Sequence, residues 1–319
     1  MERHDTGKVV DRAVEALRAH FTNARGKPIR TPYYLSQLQV LHENNFFPWV
    51  VSDAVKRLTE EECFLSRLDE NSIPELGELS NVSRISFYAN TEALQGEGGY
   101  RVRSRILNIA KLVDSYSDPD NSEMLGKHLE AMVKAEIRAQ GFKIVGEHSA
   151  EYKGNQWTKT QHNLDLIAEL PNTKLAIGLE AKNTLDLMQA SEIDIKIDIC
   201  AALGIVPVFA VRWIKPYIEC IRLQNGFSWV FKTQMYPLGQ EPMVKKLYNK
   251  LSGPKRKGPN GRALEWPVSV RTELPSKSVA KFSDWVLRTK DNPRNVDTSK
   301  RCVPKCVRDA DEPLEPDLS

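Results

Sequence analysis

The stretch KLAIGLEAKN, Lys174 to Asn183, decides how this chain is read. Its first part is apolar, and its end sets Glu180 and Lys182 two residues apart. Side chains alternate along a strand, so residues i and i+2 share a face. Glu180 and Lys182 therefore point together from the end of a strand whose earlier residues, Leu175, Ile177 and Leu179, have core character. Taken alone, a Glu-x-Lys of this kind is a salt-bridged strand end, worth little energy. Its neighbours decide whether this one is more.

Upstream, HNLDLIAEL reads as a second strand, and Pro171-Asn172 as a tight turn joining it to the first. A hairpin lays the two strands side by side, which brings Asp165 towards Glu180. FKIVGEHS precedes them as a further strand. LGKHLEAMVKAEIRAQG before it is an amphipathic helix, with Leu125, Leu129, Met132 and Ile137 inward and Gly141 at its stop. Glu130 lies at the edge of that stripe, next to Leu129. Downstream come a helix from about Leu187 to Leu203 closed by Gly204, the buried strand VPVFAVRW, and YIECIRL as one more strand.

Asp165 and Glu180, with the backbone carbonyl of Ala181, make a ligand set for a hard divalent cation, Mg2+ with Mn2+ as the alternative. Such a cation polarises a phosphoryl oxygen and lowers the pKa of its bound water. Lys182 beside it is placed to position that water and to stabilise developing charge. Glu130 on a helix, Asp165 on a strand and Glu180-x-Lys182 on the next resemble the PD-(D/E)xK nuclease superfamily, over about Met124 to Leu223. That superfamily includes many restriction endonucleases, archaeal-type Holliday junction resolvases and repair nucleases. CAALGIVPVFAVRW is similar to the helix and strand that follow its Glu-x-Lys element. The resemblance implies a restriction endonuclease-like α/β core. It makes Asp165 and Glu180 metal ligands, Lys182 the catalytic lysine, and Glu130 the helix glutamate that some members use through a water or second metal. Leu164 stands where the family name has proline, and Lys134 offers Glu130 an ordinary i, i+4 salt bridge. Lys196 and Gln189 are further residues that could face the same cleft, while His128, His148 and His162 show no metal-ligand spacing and read as non-ligands.

The amino-terminal part is a different module. KVVDRAVEALRAHF is helical, with Val10, Val14 and Leu17 on one stripe. TPYYLSQLQVLHENN predicts a helix with Thr31 as N-cap and Pro32 in its first turn. FPWVVSDAVKRLTEEECFLSRL predicts a third helix burying Val51, Val55 and Leu58, with Ser52, Asp53, Lys56 and Arg57 outward. CFLSRL and RISFYAN then form a hairpin. This order resembles a mainly helical winged helix-turn-helix domain, whose third helix enters the major groove while its wing meets the backbone. The resemblance makes Lys56, Arg57 and Arg84 nucleic-acid contacts. A protein-interaction module fits the same pattern, and Asp53 adds a charge that phosphates repel.

The predicted division is a winged-helix domain over 1–90, a linker over 91–123, a nuclease-like domain over 124–290 and a disordered tail over 291–319. The linker is expected to hold a helix from Arg103 to Tyr116 and to end in the loop SDPDNS. EWPVSVRTELPSKSVAKFSDWVLRTK predicts a strand and a helix capped by Ser276, with Val279, Phe282 and Val286 inward. Net charge is +3, but Lys255, Arg256, Lys257 and Arg262 form a basic segment suited to phosphates or to a solvated linker, and the carboxy-terminal DADEPLEPDLS is acidic. Cys63, Cys200 and Cys220 read as small buried hydrophobes, and Cys302 and Cys306 lack the further ligands of a zinc site. With no membrane-length apolar run and no signal-peptide core, the expected location is cytoplasmic. The expected function is Mg2+-dependent DNA endonuclease on double-stranded or branched DNA, a homodimer serving restriction and anti-phage defence or recombination and repair. The alternative is a non-enzymatic winged-helix DNA-binding regulator that keeps the nuclease fold as a scaffold.

Overall fold

The computed structural model describes residues 6–82, 84–253 and 263–299, and Lys255, Arg256, Lys257, Arg262, Cys302 and Cys306, singled out from the sequence, lie outside them. Backbone contacts divide the chain into two units. Of the described residues, one holds those up to Asn121 with Pro242–Pro267, the other Ser122–Glu241 with those from Val268 to Ser299. The expectation for 124–290 as one stretch is thus interrupted by Pro242–Pro267.

The first unit opens with α1 (Thr6–His20), which buries Ala13, Val14 and Leu17. Next come β1 (Tyr33–Tyr34), α2 (Leu35–His42) and α3 (Pro48–Lys56), the last prolonged by a π-helical turn over Arg57–Glu61. β2 (Leu65–Leu68) and β3 (Phe87–Asn90) complete an antiparallel three-stranded sheet in the order β1-β3-β2. The second helix starts at Leu35, not at Pro32. Tyr33 and Tyr34 are buried aromatics paired with Tyr88 and Phe87, and strand pairing takes them before the helix begins. α4 (Glu97–Tyr116) begins earlier than Arg103, because Gly98 lets its first turn close on the Ala93 carbonyl, where a Cβ would collide.

SDPDNS is a helix start, not a loop: α5 runs Pro119–Ala139. Asp118 accepts the Asp120 N–H at 2.9 Å in the manner of an N-cap, with Pro119 as the first helical residue. β4 (Lys143–Ser149) follows, then a small hairpin of β5 (Glu151–Tyr152) and β6 (Asn155–Gln156). β7 (Leu164–Glu169) turns at Pro171-Asn172, where Asn172 takes φ 61°, into β8 (Ala176–Lys182). α6 (Ala190–Leu203) ends on left-handed Gly204 and leads to β9 (Val206–Val211).

YIECIRL is helical: α7 spans Ile218–Leu223, and the fifth strand is β10 (Phe227–Val230). β9 and β10 are parallel, so the chain must cross over between them. Of the α7 apolar residues, Ile221 is fully buried while Ile218 and Leu223 are exposed, which is a helix face and not strand alternation. The mixed sheet has five strands in the order β10-β9-β8-β7-β4. β11 (Gln234–Tyr236), α8 (Glu241–Leu251), β12 (Val268–Val270) and α9 (Ser276–Thr289) end the described elements, with β11 and β12 paired in parallel. Ser276 is the first helical residue of α9 and Pro275 holds the cap position.

Sheet alternation splits the second unit's core. Leu166, Ala168, Ile177 and Leu179 join Met132, Val133, Phe282 and Val286 on the α5 and α9 side. Phe209 and Val211 pack with Ile193 and Ile197 on the α6 side. Cys200 is buried beneath that face, which pushes its thiol pKa up and keeps it neutral, as an apolar filler requires. Cys63 is exposed, and Cys220 is half-buried and disulfide-bonded, so neither is the simple core residue expected. Among the described residues, no helix is long and apolar enough to cross a membrane.

Candidate active site

The β7–β8 ladder pairs Leu166 with Leu179, so Asp165 and Glu180, one step further out, stand opposite each other. The β4–β7 ladder pairs Glu147 with Leu166 and Ser149 with Leu164, so His148 stands opposite Asp165 from the other side. His148, Asp165 and Glu180 thus form a row across three strands on the face that α6 covers. Lys182 lies two residues further along β8 on the same face.

Each carboxylate is held differently. Asp165 Oδ2 accepts the Ala181 N–H at 2.7 Å, and Oδ1 lies 4.0 Å from His148 Nδ1. Within a strand the N–H and C=O of one residue point to the same side, so the Ala181 carbonyl also faces Asp165. Glu180 is 9% exposed, and its pKa is raised to about 7, by burial first and by the neighbouring Asp165 charge second. Lys196 opposes that shift from 2.5 Å away. Its ammonium, which carries three N–H groups, pairs with Glu180 and also donates to the Asn163 carbonyl at 2.6 Å.

Lys182 is not free. Its Nζ donates to both carboxylate oxygens of Glu192 at 2.8 Å. Residues two apart on a strand thus meet residues four apart on a helix, Glu180 with Lys196 and Lys182 with Glu192. The charges cross in sign and form a quartet between β8 and α6. Asn183 fixes the strand just beyond. Its buried side chain donates to the Leu125 and Met235 carbonyls and accepts the Met235 N–H, which ties β8 to α5 and β11.

Glu130 reaches the row from α5. Its carboxylate lies 3.9 Å from His148 Nε2 and 3.7 Å from Lys134, whose shorter bond, 3.0 Å, goes to Glu147. His148 therefore stands between Glu130 and Asp165, with one ring nitrogen towards each. Sequence spacing gives no sign of this, because the contact arises from strand register and from a backbone turned to φ 46° at His148. His128 bonds the Arg271 carbonyl and His162 the Thr160 hydroxyl, away from this row. Gln189 is exposed at the start of α6, and no bond links it to the carboxylates.

No family model, curated protein or solved structure matches the chain. What the site can do rests on its chemistry. Among the described residues no three His, Cys, Asp or Glu side chains form a ready cage. The ligand set in question is two carboxylates and a carbonyl, and it suits a divalent cation. Burial first and the Asp165 charge second push the Glu180 carboxyl towards neutrality, and a bound cation would offset both. Lys196 neutralises Glu180 only in part.

The amino-terminal basic residues are less available than their sequence implies. Arg57 pairs with Asp11 at 2.5 Å and with Glu62 at 3.3 Å. Lys56 is exposed and lies 3.9 Å from Glu60. Arg84 is exposed on the approach to β3, with φ 55°. Glu60 beside Lys56, and Asp11, Glu61 and Glu62 beside Arg57, offset the positive charge at the end of the third helix.

Proposed function

We propose that this protein is a metal-dependent phosphodiesterase of the PD-(D/E)xK type, acting on DNA as an endonuclease. One observation carries it: Asp165 and Glu180 oppose each other across adjacent strands, with Lys182 two residues on and the Ala181 carbonyl turned to the same place. The order α5, β4, β7, β8, α6, β9 and the change from antiparallel to parallel pairing at β8 support a restriction endonuclease-like core. Asp165, Glu180 and the Ala181 carbonyl would hold Mg2+ or Mn2+, which when bound supplies Lewis-acid polarisation and an activated water. Lys182 stabilises charge on the attacked phosphate once Glu192 yields it. Lys196 keeps Glu180 in place. Glu130 and His148 hold Asp165 from the β4 side.

The β1-β3-β2 sheet with α1, α2 and α3, all within the first unit, supports a winged-helix reading. The carboxylates paired with Lys56 and Arg57 favour docking to protein, including a second copy in a homodimer, over entry into the major groove. The service of the cut, in restriction or in repair, follows from which substrate is taken.

A second reading has its own observation. The Glu180–Lys196 and Lys182–Glu192 quartet is a self-consistent clamp, and a scaffold without catalysis needs nothing more. Plasmid, linear, branched and RNA substrates incubated with Mg2+, Mn2+ or chelator separate the two. Metal-dependent cleavage lost in Asp165→Asn and Glu180→Gln is the expected result. No cleavage of any substrate, or cleavage that both variants retain, rejects the nuclease.

A further inference from the structure

β10 bears a pocket that the carboxylate row does not use. A cavity of about 440 Å³ opens where Phe227 and Ser228 meet the ends of α7 and α9, a size within the usual range for small-molecule sites. Arg222 from the last turn of α7, Arg288 from the last turn of α9 and Arg294 beyond it line the cavity, and no carboxylate does. All three are exposed, and among the described residues none has an acidic partner; Arg288 Nε donates only to the Asp284 carbonyl, at 3.1 Å. Three like charges around one hollow repel each other, and an anion between them removes that cost. Arg222 and Arg288 also complement the negative ends of their helices. That accounts for their charge but not for Arg294 or for the rest of the lining.

The rest of the lining points to what the anion is attached to. Trp285 is half-buried and stacked on Phe227 at 4.9 Å between centroids and 27° between planes, which makes it a fixed aromatic wall. The Ser228 hydroxyl has no hydrogen-bond partner among the described residues. Asn225 donates to the Asn295 carbonyl at 2.6 Å and so pins the segment that carries Arg294 to the turn before β10. Guanidinium forks match phosphate oxygens in pairs, and a planar base finds a stacking surface on indole. We propose that this pocket binds a nucleotide, with its phosphate on Arg222, Arg288 and Arg294 and its base against Trp285. The nucleotide is either free or part of a strand, and the chemistry is shared. The site is independent of the metal-binding reading above.

The test is calorimetric titration of the full chain in chelator and low salt, with pyrophosphate, a deoxynucleoside 5′-monophosphate and a short single-stranded oligonucleotide. The expected result is binding of the mononucleotide with quenching of tryptophan fluorescence. Each of Arg222→Gln, Arg288→Gln and Arg294→Gln should weaken it at least fivefold, and the triple variant should abolish it. Trp285→Leu should lower mononucleotide affinity while sparing pyrophosphate. An oligonucleotide at least tenfold tighter than the mononucleotide, and displaced by pyrophosphate, identifies a strand as the ligand. Equal affinities identify a free nucleotide. Failure of every probe to bind, or binding unchanged in the arginine variants, overturns the proposal. Pyrophosphate and mononucleotide affinities that respond equally to Trp285→Leu overturn the role of the base. Circular dichroism checks folding, and the single exposed-residue variants decide the matter should the triple variant not fold.

Discussion

Lys182 and Lys196 are both lysines beside acids, yet the structure gives them different work. Lys196 is buried against Glu180 and the Asn163 carbonyl, so Lys196→Met leaves a buried carboxylate with no cation. Breaking one side of a buried pair costs about 3–5 kcal/mol. Urea denaturation should show a loss of that order, and a loss below 1 kcal/mol would mean that the pair is solvated. Lys182 is partly exposed and held by Glu192, so Lys182→Ala should leave stability within about 1 kcal/mol while lowering cleavage by roughly 10²–10⁴-fold. Parental cleavage by that variant would remove Lys182 from the chemistry. His42, in the first unit, carries a pH signature instead. It is 1% exposed and set 3.4 Å from His20, and burial lowers its pKa to about 4. The unfolded chain takes up a proton near pH 6.5, whereas folded His42 does so only near 4. Its contribution to stability is therefore complete above 6.5 and is lost as pH falls towards 4, on the order of 3 kcal/mol in all. His42→Gln should flatten the urea midpoint over that window. An unchanged slope would show that other groups carry it.

At the level of the element, β8 and α6 set the site, and their separation is controlled by Gly178. A Cβ there would lie 2.6 Å from Leu164 Cδ1, 2.7 Å from Cys200 Sγ and 2.9 Å from Ile205 Cδ1. Gly178→Ala should cost about 1–3 kcal/mol through overpacking. It should also lower cleavage, because lifting α6 parts Glu192 and Lys196 from their strand partners. A thermal midpoint and cleavage rate equal to the parent's would mean that these neighbours move aside freely. β7, β8, α6 and β9 were legible in the sequence because their apolar patterns are long and their stops, Asn172 and Gly204, are conformationally specific. YIECIRL was not, since a short helix with one buried residue per turn mimics alternation over so few positions, and Phe227–Val230 was too short to register as a strand. The Glu180–Lys182 pairing of faces could be read from alternation, whereas Lys182–Glu192 and the place of His148 depend on register and on helix rotation, which spacing does not encode.

For the whole molecule, the chain order of the units decides which truncation is informative. A cut after Asn90 looks natural from the sequence, since the first helices and the hairpin end there. The first unit, however, takes back Pro242–Pro267. Within it Gln37 donates to the Leu251 carbonyl at 3.0 Å, Tyr34 meets the Trp266 ring at 6.5 Å between centroids, and Leu251 and Trp266 are 0% and 2% exposed. Deleting 1–90 uncovers these residues while the chain still carries them, and an uncovered Leu and Trp are an association surface. The deletion variant should therefore bind a hydrophobic dye and elute as aggregate, and Trp266→Ser within it should relieve part of that. A well-behaved monomer after deletion would show that Pro242–Pro267 does not depend on the amino-terminal helices. Point changes are the cleaner probe of what the first unit contacts. Lys56→Glu adds charge to an already acidic helix, and if DNA contact through Lys56 holds, affinity should fall and the log–log salt slope should become shallower by about one. If docking to protein is its role, affinity for DNA and the salt slope should both stay at the parent's values while self-association measured by sedimentation shifts.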